Sequence, residues 1–193
     1  MEPDADAVSA VAIPSLPVLG AQTGFATVEQ CFAAYHEAIY RFVYWMGADP
    51  EEAADIAQEV FVRAHRAWPT LRSRLAARGW LLRIAGNLAK DRWKRRRREE
   101  RAVETMGKGL AAGPLVSPDE EVLQSELQRR VREAIAGLRP RRRELIILRE
   151  FEDMSYEEIA QVLRCGIGTV RSGLHRARAE LQERLRPYIE GDR

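Results

Sequence analysis

The stretch SYEEIAQVLRCGIGTVRSGLHRARAEL, residues 155–181, reads as two helices with a tight turn between them. Ser155 and Glu158 form a capping box, in which the hydroxyl accepts the N–H of Glu158 and the carboxylate accepts the N–H of Ser155. Ile159, Ala160, Val162 and Leu163 give the first helix an apolar side. Arg164 to Gly166 must turn the chain, and Ile167, Val170 and Leu174 then face inward on the second helix. Ala160 is small enough for the two helices to cross closely. A short helix, a tight turn and a longer basic helix predict a helix-turn-helix. Arg171, Ser172, His175, Arg176 and Arg178 fall on or near its outward side. An arginine fork placed there can pair with guanine in the major groove or with phosphate. The competing reading is an αα-hairpin whose basic face is merely solvated.

Upstream, residues 140–154 and the run PDEEVLQSELQRRVREAIAGL (118–138) read as two further helices, with Gly137 as a stop and Pro140 suited to a first turn. Residues 102–118 carry three glycines and two prolines and read as a linker. Before it, residues 27–101 are helical again. Phe32, Tyr35, Ile39, Phe42 and Val43 recur at helical spacings and predict a buried stripe, ended by Gly47. Pro50 and a cluster of acids open a second helix, in which Ile56, Val60 and Ala64 repeat every four. Trp80 to Arg98 is the third. Its buried stripe is Leu81, Ile84, Ala85 and Leu88, while Trp80, Arg83, Asn87, Lys90 and Lys94 share another face. Aromatics stack on unpaired bases, amides read base edges and cations hold phosphates. On these residues alone, a solvated charged face with Trp80 in the core is an equal reading. Residues 1–26 are rich in Ala, Pro, Gly and small polar residues and read as a disordered arm. The expected fold is all-α, with two small helical domains on a tether.

The chain has 193 residues with 31 Lys and Arg against 29 Asp and Glu, a net charge of only +2. The charges are segregated, however: arginines gather at 92–101, 139–149 and 171–186. Clustered bases on a near-neutral chain point to a polyanion. Cys31 and Cys165 stand far apart, so no disulfide framework, zinc site or other metal site is expected, and the reducing cytoplasm is the expected compartment. Membrane insertion is not expected either, because no run approaches the roughly 20 apolar residues of a spanning helix. The three histidines are scattered, and neither a phosphate loop nor a nucleophile–base pair is present. No cofactor and no catalysis are expected.

Three stretches, DIAQEVFVRAHRAW (55–68), WLLRIAGNLAKDRWKRRRR (80–98) and residues 138–181, resemble the bacterial sigma-70 family. More narrowly they resemble the small extracytoplasmic-function (ECF) sigma factors, which keep only regions 2 and 4. The resemblance implies region 2 at 27–101 and region 4 at 119–188, and a transcription initiation factor that directs core RNA polymerase to promoters, in an envelope or stress response. Region 2 would dock on the clamp coiled coil of the β′ subunit and melt the −10 element. Region 4 would bind the β flap and read the −35 element. By motif position Asp55, Gln58, Glu59 and Phe61 fall in the docking segment. Trp80, Arg83, Asn87, Lys90 and Arg92 fall in the −10 segment. Thr169, Arg171, Ser172, His175, Arg176 and Arg178 fall on the −35 helix. An anti-sigma factor is the further partner implied. Asp153 and Arg164 stand where the family commonly has glycine, and Gly173 where it has a basic residue. A ligand-gated or phosphoacceptor-controlled DNA-binding regulator is the rival reading, disfavoured by the helical N-terminal half. A nuclease is disfavoured by the missing carboxylate cluster.

Overall fold

A computed structural model describes residues 25–71, 76–105 and 126–190. The expected arm therefore lies almost wholly outside the described residues, as does most of the expected linker. All regular elements among the described residues are helical. The described residues divide into two compact units, one on each side of residue 120.

The first unit contains α1 (Val28–Trp45), α2 (Pro50–Ala67), a 3₁₀ turn (Trp68–Thr70) and α3 (Ala77–Thr105). Thr27 caps α1 by accepting the N–H of Gln30, and Asp49 caps α2 by accepting that of Glu52 at 2.8 Å. Such caps satisfy donors that a helix start leaves unpaired. Gly47, at φ 100°, ends α1 in a backbone conformation that glycine adopts without strain. The three helices pack pairwise against one another. Tyr35, Ile39, Phe42 and Val43 of α1 meet Ile56 and Val60 of α2 and Leu81, Ala85 and Leu88 of α3 in the core.

Two expected core positions differ. Phe32 is 45% exposed, packed edge-on against Phe61 at 4.9 Å between ring centroids. It lies on the α2 flank of α1. Ile84 is only half-buried. The end of α3 also differs, since the helix continues to Thr105 rather than giving way at residue 102. The run RRRREERAVET contains no glycine or proline, and a paired Arg95 and Glu99, 3.8 Å apart, support its surface.

The second unit contains α4 (Glu126–Ala136), α5 (Pro140–Ile146), a π-helical continuation (Ile147–Phe151), α6 (Tyr156–Leu163) and α7 (Ile167–Glu190). Residues 118–125 of the expected helix lie outside the described residues. α5 and its π-helical continuation are central, with residues 143–148 all buried. A one-faced helix cannot bury six residues in succession, so neighbours must surround it. Arg143 is among them. Its guanidinium donates to the carbonyls of Ala136 and Leu138, which lie at and just beyond the end of α4. Burial lowers its pKa to about 10, which still leaves it charged at neutral pH. Sequence alone gave no sign of this buried cation.

The capping box of α6 is formed, with Ser155 N–H donating to Glu158 at 2.7 Å and Glu158 N–H to Ser155 at 3.2 Å. Arg164 then adopts φ 49°, ψ 55°, the left-handed conformation that the absent glycine would have favoured. Asp153 does the same at φ 49°. The left-handed region strains an L-residue by about 1 kcal/mol. Arg164→Gly is therefore expected to raise stability by a few tenths to about 1 kcal/mol, since glycine also loosens the unfolded chain. Chemical denaturation of the two proteins measures it, and a lowered midpoint would show that the Arg164 side chain stabilises the turn by more than its strain.

Candidate nucleic-acid and polymerase interface

α7 carries the sequence-expected DNA face. Val170, Leu174, Ala177 and Leu181 form its buried stripe, and Thr169, Arg171, Ser172, His175 and Arg176 are exposed on the remainder. Arg176 is folded back along the helix, with Nε donating to the Ser172 carbonyl at 3.1 Å. Ile167, expected inward, is 41% exposed. It belongs to the first turn of α7, where a Cβ built on Gly168 would meet nothing within 4 Å. The helix start therefore projects clear of the core.

Arg178 differs from the others. It is half-buried, and its Nε and Nη2 both donate to Glu150 Oε1, at 3.1 and 2.7 Å. Burial opposes the charged guanidinium, but the hydrogen bonds and the charge of Glu150 outweigh it and hold its pKa above the ordinary value. Gly173 also has a specific place. A Cβ there would lie 2.5 Å from Leu145 Cδ1, so a side chain at 173 would require the Leu145 methyl on α5 to shift. Sequence alone gave no sign of this contact.

On α3, Asn87 is exposed, while Trp80, Arg83, Lys90 and Arg92 are half-buried. Trp80 lies beside Trp68, with centroids 6.2 Å apart and the rings tilted 53° to each other. The Arg97 guanidinium sits over the Trp93 ring at 4.8 Å from its centroid. This pair extends the cationic and aromatic character of α3. It was missed in sequence, although the spacing of four between Trp93 and Arg97 is the signal for such a contact.

On α2, Asp55 and Gln58 are exposed, and Glu59 pairs with Arg63 at 2.8 Å. Phe61 is buried, not presented, and forms the floor of an open groove of about 410 Å³. Phe32, Val62, His65 and Gln58 are among its walls. Val62 is 38% exposed, so two of the four large apolar side chains exposed among the described residues line this groove. Cys31 is buried at the α1 core and its thiol is pushed up to about 11, which keeps it protonated and unreactive at neutral pH. Among the described residues, no cluster of His, Cys, Asp and Glu could hold a metal ion, and no helix is long and apolar enough to cross a membrane.

Residues 31–99 match the family model for sigma-70 region 2, and residues 128–181 the model for sigma-70 region 4. The chain is 37% identical over 158 residues to the RNA polymerase sigma-H factor of Pseudomonas aeruginosa, covering 78% of this chain and 80% of that one. This chain is an ECF sigma factor of the sigma-70 family. The ECF RNA polymerase sigma-E factor of Escherichia coli K12 is a further relative, 34% identical over 145 residues, which are 72% of this sigma factor and 76% of that protein. Among solved structures, the sigma factor RpoE in complex with the anti-sigma factor NepR from Bartonella quintana is similar, with TM-score 0.65 and 25% identity. The match covers 82% of this chain and 96% of that one. CnrH, solved in complex with the cytosolic domain of CnrY, shares the fold at TM-score 0.60 and 24% identity, over 86% of this chain and 89% of that one. The sigma factor directs promoter-specific initiation of transcription and has no catalytic activity of its own.

Proposed function

We propose that the sigma factor divides promoter recognition between two domains, region 2 within 27–101 and region 4 within 119–188, joined through residues 102–118. Asp55, Gln58 and Glu59 on α2 contact the clamp of the β′ subunit, and Phe61 supports that surface from beneath. Trp80, Arg83, Asn87, Lys90 and Arg92 on α3 act on the −10 element. Thr169, Arg171, Ser172, His175 and Arg176 on α7 act on the −35 element, and region 4 also engages the β flap. The observation that carries this reading is the separation on α7 of a wholly buried stripe from an exposed set containing two arginines, a histidine and two hydroxyls. The anti-sigma factor bound to the Bartonella relative supports a regulatory partner protein for this chain as well. Such a partner would gate an envelope or stress response, and the site of action is the cytoplasm, where core polymerase is found. The test is reconstitution: core polymerase with the purified protein should initiate at a specific promoter, and core alone should not. Initiation without promoter preference would overturn the proposal. Co-purification from native cells tests for the regulatory partner.

Arg171 and Arg176 are five residues apart and so are not stacked on the helix, which lets each reach a different base or phosphate. Loss of a bidentate base contact in Arg171→Ala or Arg176→Ala is expected to weaken binding by about 1–3 kcal/mol and relax preference at one −35 position. Loss of a phosphate contact would instead weaken all sequences alike and flatten the salt dependence. Binding to promoter variants at several salt concentrations separates these cases. No effect from either variant would mean that another face of α7 meets DNA.

A further inference from the structure

The recognition helix is gripped on both flanks of its buried stripe. At about 100° per residue, Gly173 and Arg178 lie roughly 140° apart and bracket the line of Val170, Leu174, Ala177 and Leu181. On one flank Arg178 donates two hydrogen bonds to Glu150, in the π-helical continuation of α5, with side-chain exposures of 35% and 26%. On the other flank Gly173 sits against Leu145 of α5. Glu180, about 20° from Gly173 on the helix circumference, accepts from Arg142 of α5. The two ion pairs run in opposite senses: α7 supplies the cation in one and the anion in the other.

This arrangement constrains rotation. An apolar stripe alone tolerates a modest turn of a helix about its own axis, because dispersion contacts are non-directional and individually weak. Charge-assisted hydrogen bonds on opposite flanks are directional, and turning α7 either way stretches one of them. Reading a base edge is equally directional, since a bidentate arginine must present its fork in the plane of the base. We infer that the Glu150–Arg178 pair, with Arg142–Glu180 and the Gly173 contact opposite, fixes the rotational setting of α7, so that Arg178 governs −35 preference as a positioning residue without touching DNA. The inference rests on the proposal that α7 reads the −35 element, and it removes Arg178 from the residues expected to do the reading.

Glu150→Gln separates the two roles because charge and positioning predict opposite signs. Removing an anion from a DNA-binding domain should by itself strengthen DNA binding. Loss of the lock should instead lower discrimination among −35 variants. The experiment measures binding of the full-length protein, assembled with core polymerase, to promoters with single-base changes in the −35 element at several salt concentrations. Glu150→Gln and Arg178→Gln are each expected to reduce discrimination at one or more positions by about fivefold or more, with an unchanged salt slope. The double variant should be no worse than either single one. The inverted pair, Glu150→Arg with Arg178→Glu, should recover discrimination, which a general folding defect would not allow. If Arg178→Gln flattens the salt slope while Glu150→Gln leaves discrimination intact, Arg178 contacts DNA directly and the lock is overturned. If the unaltered protein shows no −35 discrimination, the −35 assignment of α7 itself falls.

Discussion

Asp55→Ala combined with Gln58→Ala is expected to weaken binding to core RNA polymerase by about 3–6 kcal/mol if both side chains meet the clamp. The two are exposed on α2, three residues apart and therefore neighbours on its surface. Hydrogen bonds to charged partners contribute about 1.5–3 kcal/mol each, and the upper total holds only if the two act independently. Glu59 is less available because Arg63 already engages it at 2.8 Å. The substitutions leave the α2 core of Ile56, Ala57 and Val60 untouched, and alanine favours helix. Titration against core polymerase should show the loss while circular dichroism shows unchanged helicity. Undiminished affinity would remove α2 from the docking surface.

The second large effect is expected on α3. Asn87 is exposed, and its neighbours on that face are Trp80, Arg83 and Lys90. If the amide reads one unpaired −10 base, Asn87→Ala should blur discrimination at that position by about 1–3 kcal/mol and slow opening of a duplex promoter. A template already mismatched there should restore part of the opening, because unpairing has been done in advance. Trp80→Ala should lose about 1–3 kcal/mol of stacking with little change in base preference. Because Trp80 also lies against Trp68, that variant needs its own stability measurement. Permanganate footprinting on matched and pre-melted templates reads both effects. Normal opening with intact base preference in Asn87→Ala would reduce the face to a scaffold.

The local features were legible before the structure. The capping box needs only Ser155 and Glu158 at the right spacing, and the strained turn follows from an arginine at residue 164 where a left-handed turn favours glycine. Both are decided within four residues of chain. The buried stripes of α1, α2 and α7 were also legible, because a helix repeats every 3.6 residues. What escaped depends on partners distant in sequence. Periodicity places Phe32 beside the core residues of α1, but only the extent of the covering helices decides that it is exposed. Ile167 follows the α7 stripe and is exposed because that helix begins beyond the core. The pairing of Arg178 with Glu150, 28 residues away, escaped in the same way. Arg143 belongs to the arginine cluster at 139–149, and only the fold shows it buried against two carbonyls.

The close contact between Gly173 and Leu145 also constrains how this sigma factor can change its promoters over generations. A larger side chain at 173 would bring its Cβ to 2.5 Å from Leu145 Cδ1, so the Leu145 methyl must move to admit it. Leu145 is 3% exposed, and a move of its methyl is felt by the side chains packed around it. A smaller residue at 145 would instead leave a cavity beside glycine. The two positions are therefore expected to vary together across descendants. If α7 reads the −35 element as proposed, new preferences are expected to arise more readily at the exposed positions 171, 172, 175 and 176, whose substitution leaves the core intact.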